Sequence, residues 1–238
     1  MDIEREKYYT PEASRTAQAV AGFMRRVYVW MTLGLVVTGC VAYLAATSPT
    51  VINALFFTHG MAPLIVLCVA ELGIVFFLSA RVTTLAPATA SALFFVYAGL
   101  NGLTIAPLLL FYTQESVAEA FFISAGMFGA MSVYGAVTKR DLTGFGDFLR
   151  MGLIGLLIAI VANIFVGGEK MSLVISIMAV LIFTGLAAYD SFKWRRIAAA
   201  SGQGDEIMRS VAVAAALEMY LDFINIFIHL LRIMGKRR

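Results

Sequence analysis

The chain has 238 residues, of which 61% are hydrophobic and only 14% charged, with a formal net charge of +3 and a mean hydropathy of +0.86. Soluble domains carry about 25% charged residues, so this composition excludes a soluble domain on an anchor and predicts an integral membrane protein. Two cysteines, Cys40 and Cys68, fall within apolar runs; they supply neither a disulfide framework nor a zinc spacing, and no nucleic-acid partner is expected.

Residues 1–22 are polar and lack the apolar core of a secretory signal, so they predict a tail ahead of a retained first span. Residues 23–238 then form one transmembrane domain. A helix needs about 20 apolar residues to cross the hydrocarbon core. Seven runs approach that length: Val27–Thr47, Ala62–Ala80, Ala88–Phe111, Ala118–Val137, Phe148–Val166, Met171–Asp190 and Val211–Met234. Pro49, Pro63 and Pro87 stand at span ends, where they break nothing. Pro107 stands inside the third span near Gly99, Asn101 and Gly102, where a kink or local unwinding is one outcome and simple packing irregularity the favoured one. Ala125 with Gly129, Gly126 with Ala130, and Gly152 with Gly155 are spaced as faces on which helices approach closely.

Orientation follows Lys and Arg. The tail holds Arg5, Lys7 and Arg15, with Arg25 and Arg26 after it, and alternate loops carry Arg81, then Lys139, Arg140 and Arg150, then Lys193, Arg195, Arg196 and Arg209. The remaining loops hold His59 and Lys170. The N-terminus is therefore expected in the cytoplasm, with Trp30 and Trp194 as interface anchors at that border. Seven crossings leave Arg232, Lys236, Arg237 and Arg238 outside, against the rule. The last run is nevertheless unbroken by Gly or Pro until Gly235, so a crossing is expected rather than a re-entrant segment.

Four carboxylates lie in or beside these apolar runs: Glu71, Asp190, Glu218 and Asp222. A charge at mid-bilayer costs roughly 2.5–3.5 kcal/mol on insertion scales, and such acids mark ion or proton pathways. Glu218 and Asp222 are four apart, Asn225 follows at three, and His229 is seven past Asp222. They form one polar stripe on an otherwise apolar helix, which predicts a central last helix with the stripe facing a cavity. Asp190 falls near the cytoplasmic end of the sixth span. Two carboxylates in a low-dielectric site cannot both ionise cheaply and titrate as a unit. Asp190 and Asp222 are thus expected within hydrogen-bond reach in a closed state, sharing a proton as a pH switch; buried hydrogen bonds that merely hold the bundle are the structural alternative.

Glu71 has no charged residue within eight positions on either side. Arg232 closes the last helix with a stem long enough to reach inward, so the two are expected to form an outer latch. The alternative is a protonated Glu71 bonded to a backbone carbonyl or a serine.

Gly144-Phe145-Gly146-Asp147 fits the Gly-x-Gly-Asp pattern of intramembrane aspartyl proteases, and Tyr189-Asp190 fits their Tyr-Asp partner. The order is reversed and Asp147 falls in a charged loop, so a Gly-rich turn before the fifth span is expected, and no enzyme. No Ser/His nucleophile pair, P-loop or dinucleotide glycine motif stands out, the two histidines exclude a His-rich metal site, and no cofactor is expected.

Gly185-Leu186-Ala187-Ala188-Tyr189-Asp190 and Leu221-Asp222-Phe223-Ile224-Asn225, running on to Leu230-Leu231-Arg232, resemble the Bax inhibitor (transmembrane Bax-inhibitor-motif) family. Gly126-Met127-Phe128-Gly129-Ala130 and Thr138-Lys139-Arg140-Asp141-Leu142 are similar to its bacterial branch. The resemblance extends from Phe23 to Arg232. It implies seven helices, six of them around a central last helix, in a bacterial inner membrane. It also implies a pH-sensitive calcium leak channel with Asp190 and Asp222 as sensor and as transient calcium ligands, carboxylate oxygens being suited to that ion. Family members carry a basic latch near the end of the second span, close to Arg81. The partners implied are the lipid bilayer and calcium ions. A different function on the same fold is the regulation of a membrane-bound ATP-dependent protease.

Overall fold

The computed structural model describes residues 11–58, 60, 62–201 and 206–238. Seven of its helices are long and apolar enough to cross a membrane: α1 (Pro11–Thr47), α2 (Ala62–Arg81), α3 (Pro87–Phe111), α4 (Gln114–Val137), α5 (Thr143–Val166), α6 (Glu169–Ala200) and α7 (Glu206–Met234). A short helix, Pro49–Ile52, runs into a π-helical turn, Asn53–Phe57, between α1 and α2. No strand occurs among the described residues. In lipid only helices or closed barrels satisfy every backbone group, and these apolar runs take the helical solution.

Local chemistry sets the ends. Pro87 opens α3, where its missing N–H is no loss. Thr113 caps α4, its hydroxyl accepting the Ser116 amide at 3.3 Å. Apolarity marks only the part of a helix that crosses the membrane, however, and the ladder continues beyond it. The polar stretch assigned to a tail is helical from Pro11 onward, and α6 runs past Asp190 to Ala200. Arg5 and Lys7 lie outside the described residues, as does His59. Pro107 does not unwind α3, which is continuous to Phe111; the proline removes one ladder bond close to its end.

The helix α7 is the core. Some 78% of its span is buried, against 11% for α2 and for α5. It packs on α6, α1, α4 and α3 and grazes α2. The helix α5 packs on α6 instead, so the expected ring of six is one in which α5 stands behind α6. The consecutive helices α3 and α4 barely touch, nor do α1 and α4.

Both ends of α7 are tied. At its start Ser210 Oγ donates to the Leu85 carbonyl at 2.7 Å, in the α2–α3 loop. Past its end, the Thr113 amide donates to the Lys236 carbonyl and the Arg238 amide to the Phe111 carbonyl, each at 3.0 Å. The Lys236 amide donates to Ser116 Oγ at 2.9 Å. The last helix therefore traverses the bundle, from the end that carries the basic loops to the opposite end, where the C-terminal tail sits.

The close helix approaches differ from those expected. A Cβ at Gly126, Gly129 or Gly155 would meet nothing within 4 Å, and one at Gly152 only Ile182 at 3.4 Å. Tight positions lie elsewhere, at Gly34, Gly102, Gly185 and Gly235 among others; the two nearest the acids are Gly135, where a Cβ would run into the Ala188 carbonyl, and Gly146, where it would strike the Tyr189 ring. Spacing alone does not say which small residue faces a neighbour; these two let α4 and α5 close on α6 beside Asp190.

Candidate functional site

The stripe on α7 faces α6. Asp190 and Asp222 are both buried, and Lys193, one turn beyond Asp190, lies between the two helices. Its Nζ is 3.7 Å from Asp190 Oδ1 and pairs closely with Glu218 Oε2. Trp194 Nε1 donates to the same Glu218 oxygen at 2.9 Å. The Lys193 ammonium also lies 4.5 Å from the centroid of the Trp194 ring, a favourable placement over a π face. Further along the stripe, His229 Nδ1 is 3.2 Å from Ser176 Oγ of α6.

The expected hydrogen bond between Asp190 and Asp222 is absent from this structure. Lys193 offers Asp190 and Glu218 a counter-charge, which a second carboxylate cannot. Asp222 lies within electrostatic reach of Asp190, Glu218 and Lys193, yet its Oδ2 is buried with no hydrogen-bond partner. Such an oxygen costs the full desolvation of the group, so the cluster is three carboxylates around one ammonium with one acceptor unanswered. Asn225 does not join it: its amide donates to the Leu221 carbonyl of its own helix at 2.8 Å.

Behind the cluster, Arg150 Nη2 donates to the Tyr189 hydroxyl at 3.2 Å and its guanidinium lies 5.1 Å from that ring's centroid. Asp147 is exposed and paired with Arg150 at 3.5 Å. Gly144–Asp147 forms the first turns of α5 rather than a turn before it, and Asp147 forms no ion pair or hydrogen bond with Asp190's surroundings other than through Arg150. An aspartyl-protease pair is not assembled.

A second polar network lies deeper. Thr104 Oγ1 donates to Glu71 Oε1 at 2.7 Å. The Tyr220 hydroxyl is 3.1 Å from Asn101 Oδ1 and 2.6 Å from Thr38 Oγ1, which also donates to the Ala98 carbonyl at 2.9 Å. Phe94 and Tyr97 meet the Tyr220 ring edge-on, centroids 5.8 Å away. The Glu71–Arg232 latch is thus not formed. The helix α2 packs on α3 and only grazes α7, so Glu71 meets a threonine of α3, while Arg232 is exposed at the far end of α7. Arg81 is exposed at the end of α2, with no ion pair to the acid cluster among the described residues.

Among the described residues no three His, Cys, Asp or Glu side chains are gathered to hold a metal ion. Sequence reasoning missed Lys193 and Trp194, treated only as topology signals. The three-residue step from Asp190 to Lys193 was the available signal, since such positions share a helix face. A tyrosine in an apolar run likewise implies a partner for its hydroxyl, but not which one.

These features define an all-α polytopic membrane protein with an acidic seam between its last two helices. The chain belongs to the Bax inhibitor family: the family described as "Inhibitor of apoptosis-promoting Bax1" matches residues 20–238. It is 41% identical to the inner membrane protein YbhL of Escherichia coli K12 over 232 residues, 96% of this chain and 98% of that one. It is 42% identical to an uncharacterized protein of Deinococcus radiodurans over 223 residues, 94% of each chain. An uncharacterized protein of Rickettsia prowazekii, RP147, is 40% identical over 216 residues, 91% of this chain and 90% of that protein.

Proposed function

We propose that this protein is a pH-sensitive calcium leak channel of a bacterial inner membrane, gated at the α6–α7 seam, with its N-terminus in the cytoplasm. The membrane assignment rests on the seven spans and on the inner-membrane relative; the orientation rests on the basic loops. The observation that carries the reading is the cluster at the α6–α7 seam, in which Lys193 pairs with Asp190 and Glu218 while the buried Asp222 lies within electrostatic reach of all three. With a proton held among the acids, attraction through Lys193 keeps the seam shut. When that proton leaves, like charges face each other across the seam and push α6 from α7. Calcium is then cargo, meeting Asp190 and Asp222 in passing.

The test is purified protein in liposomes loaded with a calcium dye. Wild type is expected to conduct alone, faster as the pH rises, and Asp190→Asn or Asp222→Asn to flatten that pH profile. Normal profiles in both variants would remove the sensor. Liposomes silent at every pH would favour the second reading, a regulator of a membrane-bound ATP-dependent protease, for which α1, extending from Pro11 well beyond the apolar run, would be the handle.

A further inference from the structure

On the side of α7 turned away from the acids, a cavity of about 750 Å³ lies between α1, α3 and α4. It exists because α4 packs on neither α1 nor α3 to any extent, which leaves a lateral opening whose floor is Phe223 and Phe227 of α7. Its walls are apolar and reach the bundle surface, where Phe122 and Tyr43 are 72% and 60% exposed. The one hydroxyl at its inner end, Thr38, is already engaged by Tyr220 and the Ala98 carbonyl. Such a slot offers water almost no partners and is suited to hydrocarbon.

The mouth has a different character. Arg238 and Gln114 line it, and Lys236, Arg237 and Arg238 are all exposed in the tail that the α3–α4 loop holds in place. Glu115 and Glu119 of α4 do not line the cavity. An apolar slot open at the bundle surface, with an exposed arginine whose backbone amide is held by the Phe111 carbonyl at one end, is complementary to an amphiphile with a negative head. Its volume is within the roughly 300–1,000 Å³ of small-ligand pockets, and basic residues beside a membrane attract anionic headgroups.

We propose that this cleft binds one acyl chain of an anionic phospholipid from the surrounding bilayer, with Arg238 holding its phosphate. The site is distinct from the acid seam and does not depend on calcium conduction. Phosphatidylglycerol and phosphatidylcholine of identical chains, titrated into the purified full chain and followed by native mass spectrometry, test it. Both lipids carry the phosphate, but choline brings a cation against the exposed Lys236, Arg237 and Arg238, so wild type should bind one phosphatidylglycerol with about tenfold preference. Arg238→Gln should weaken both lipids, which lose the phosphate contact, and narrow the preference. Gly39→Phe projects into the slot from a position where a Cβ meets nothing within 4 Å, and should weaken both lipids at unchanged thermal stability; Ala118→Leu, from the opposite wall, should do the same. Equal affinity of wild type for the two lipids overturns the proposal, as does undiminished phosphatidylglycerol binding in either slot-filling variant that stays folded. A lipid-free dimer that Gly39→Phe dissociates would also overturn it, since a second copy of the chain would then occupy the cleft.

Discussion

The helix α7 has two seams, and they are built in opposite ways. Against α6 it is polar and shut: Glu218 and His229 meet partners on α6, and the buried Asp222 lies within electrostatic reach of Asp190 and Lys193. Toward α4 and α1 it is aromatic and open, with Phe223 and Phe227 flooring a cleft. The difference is one of solvent. Lipid tails are as apolar as leucine, so two greasy helix faces gain little by closing on each other, whereas polar groups in hydrocarbon must find partners. At the α6 seam of α7 polar groups supply cross-helix pairing that the aromatic face toward the cleft does not have.

The largest test of that contrast is Lys193→Met. It leaves Asp190 and Glu218 facing each other without a counter-charge. Breaking a fully buried pair costs about 3–5 kcal/mol; with the Lys193 side chain 20% exposed, a smaller but distinct fall in thermal stability is expected in detergent. Glu218→Gln in the same chain should recover part of it. If the double variant is as unstable as the single, the seam is not held by charge. Next is Gly135→Val, which forces α4 off the Ala188 carbonyl; overpacking of this kind costs about 1–3 kcal/mol, read from the same melting curves. Gly152→Ala, whose Cβ would meet Ile182 at 3.4 Å, is the control and should melt like wild type.

Tyr220→Phe removes contacts to Thr38 and Asn101, each worth about 0.5–1.5 kcal/mol. It should lower the melting temperature while leaving the pH profile of any flux unchanged, because Tyr220 serves the other network; a shifted profile would mean the two networks are one. The smallest effect lies outside the membrane. Asp141 accepts the Thr143 hydroxyl at 2.6 Å and amide at 2.9 Å at the entry to α5. These bonds, with help from Arg196, hold its carboxyl below the ordinary value of 3.8. A depressed carboxyl stabilises the fold above that value and loses its contribution as pH falls through its own lower value. Hydrogen exchange at the Thr143 amide should therefore quicken only in strong acid, and Asp141→Ala should make it fast at every pH.

The fold was legible because crossing a membrane is a one-dimensional requirement: about 20 apolar residues in a row, which Ala62–Ala80 or Val211–Met234 display without any neighbour. The polar stripe was legible for a similar reason, since Glu218, Asp222 and His229 are related by helical period alone. Contacts between helices were not. Whether Glu71 meets Arg232 or Thr104 depends on α2 lying beside α3, and nothing in either run encodes that. The same holds for the cleft, which exists because two helices adjacent in sequence are not adjacent in packing, and for Gly135, one glycine among many that happens to face a carbonyl.

The ties at the two ends of α7 restrict how this molecule can move. Ser210 is fastened to the loop before α3, and Lys236 and Arg238 to the loop after it. The last helix is thus strung along α3 like a cord on a bow, and it cannot travel lengthwise without bending one tip or the other. A piston stroke would have to break these bonds, each worth about 0.5–1.5 kcal/mol, whereas a sideways shift of α6 against a paired α3 and α7 would leave them intact.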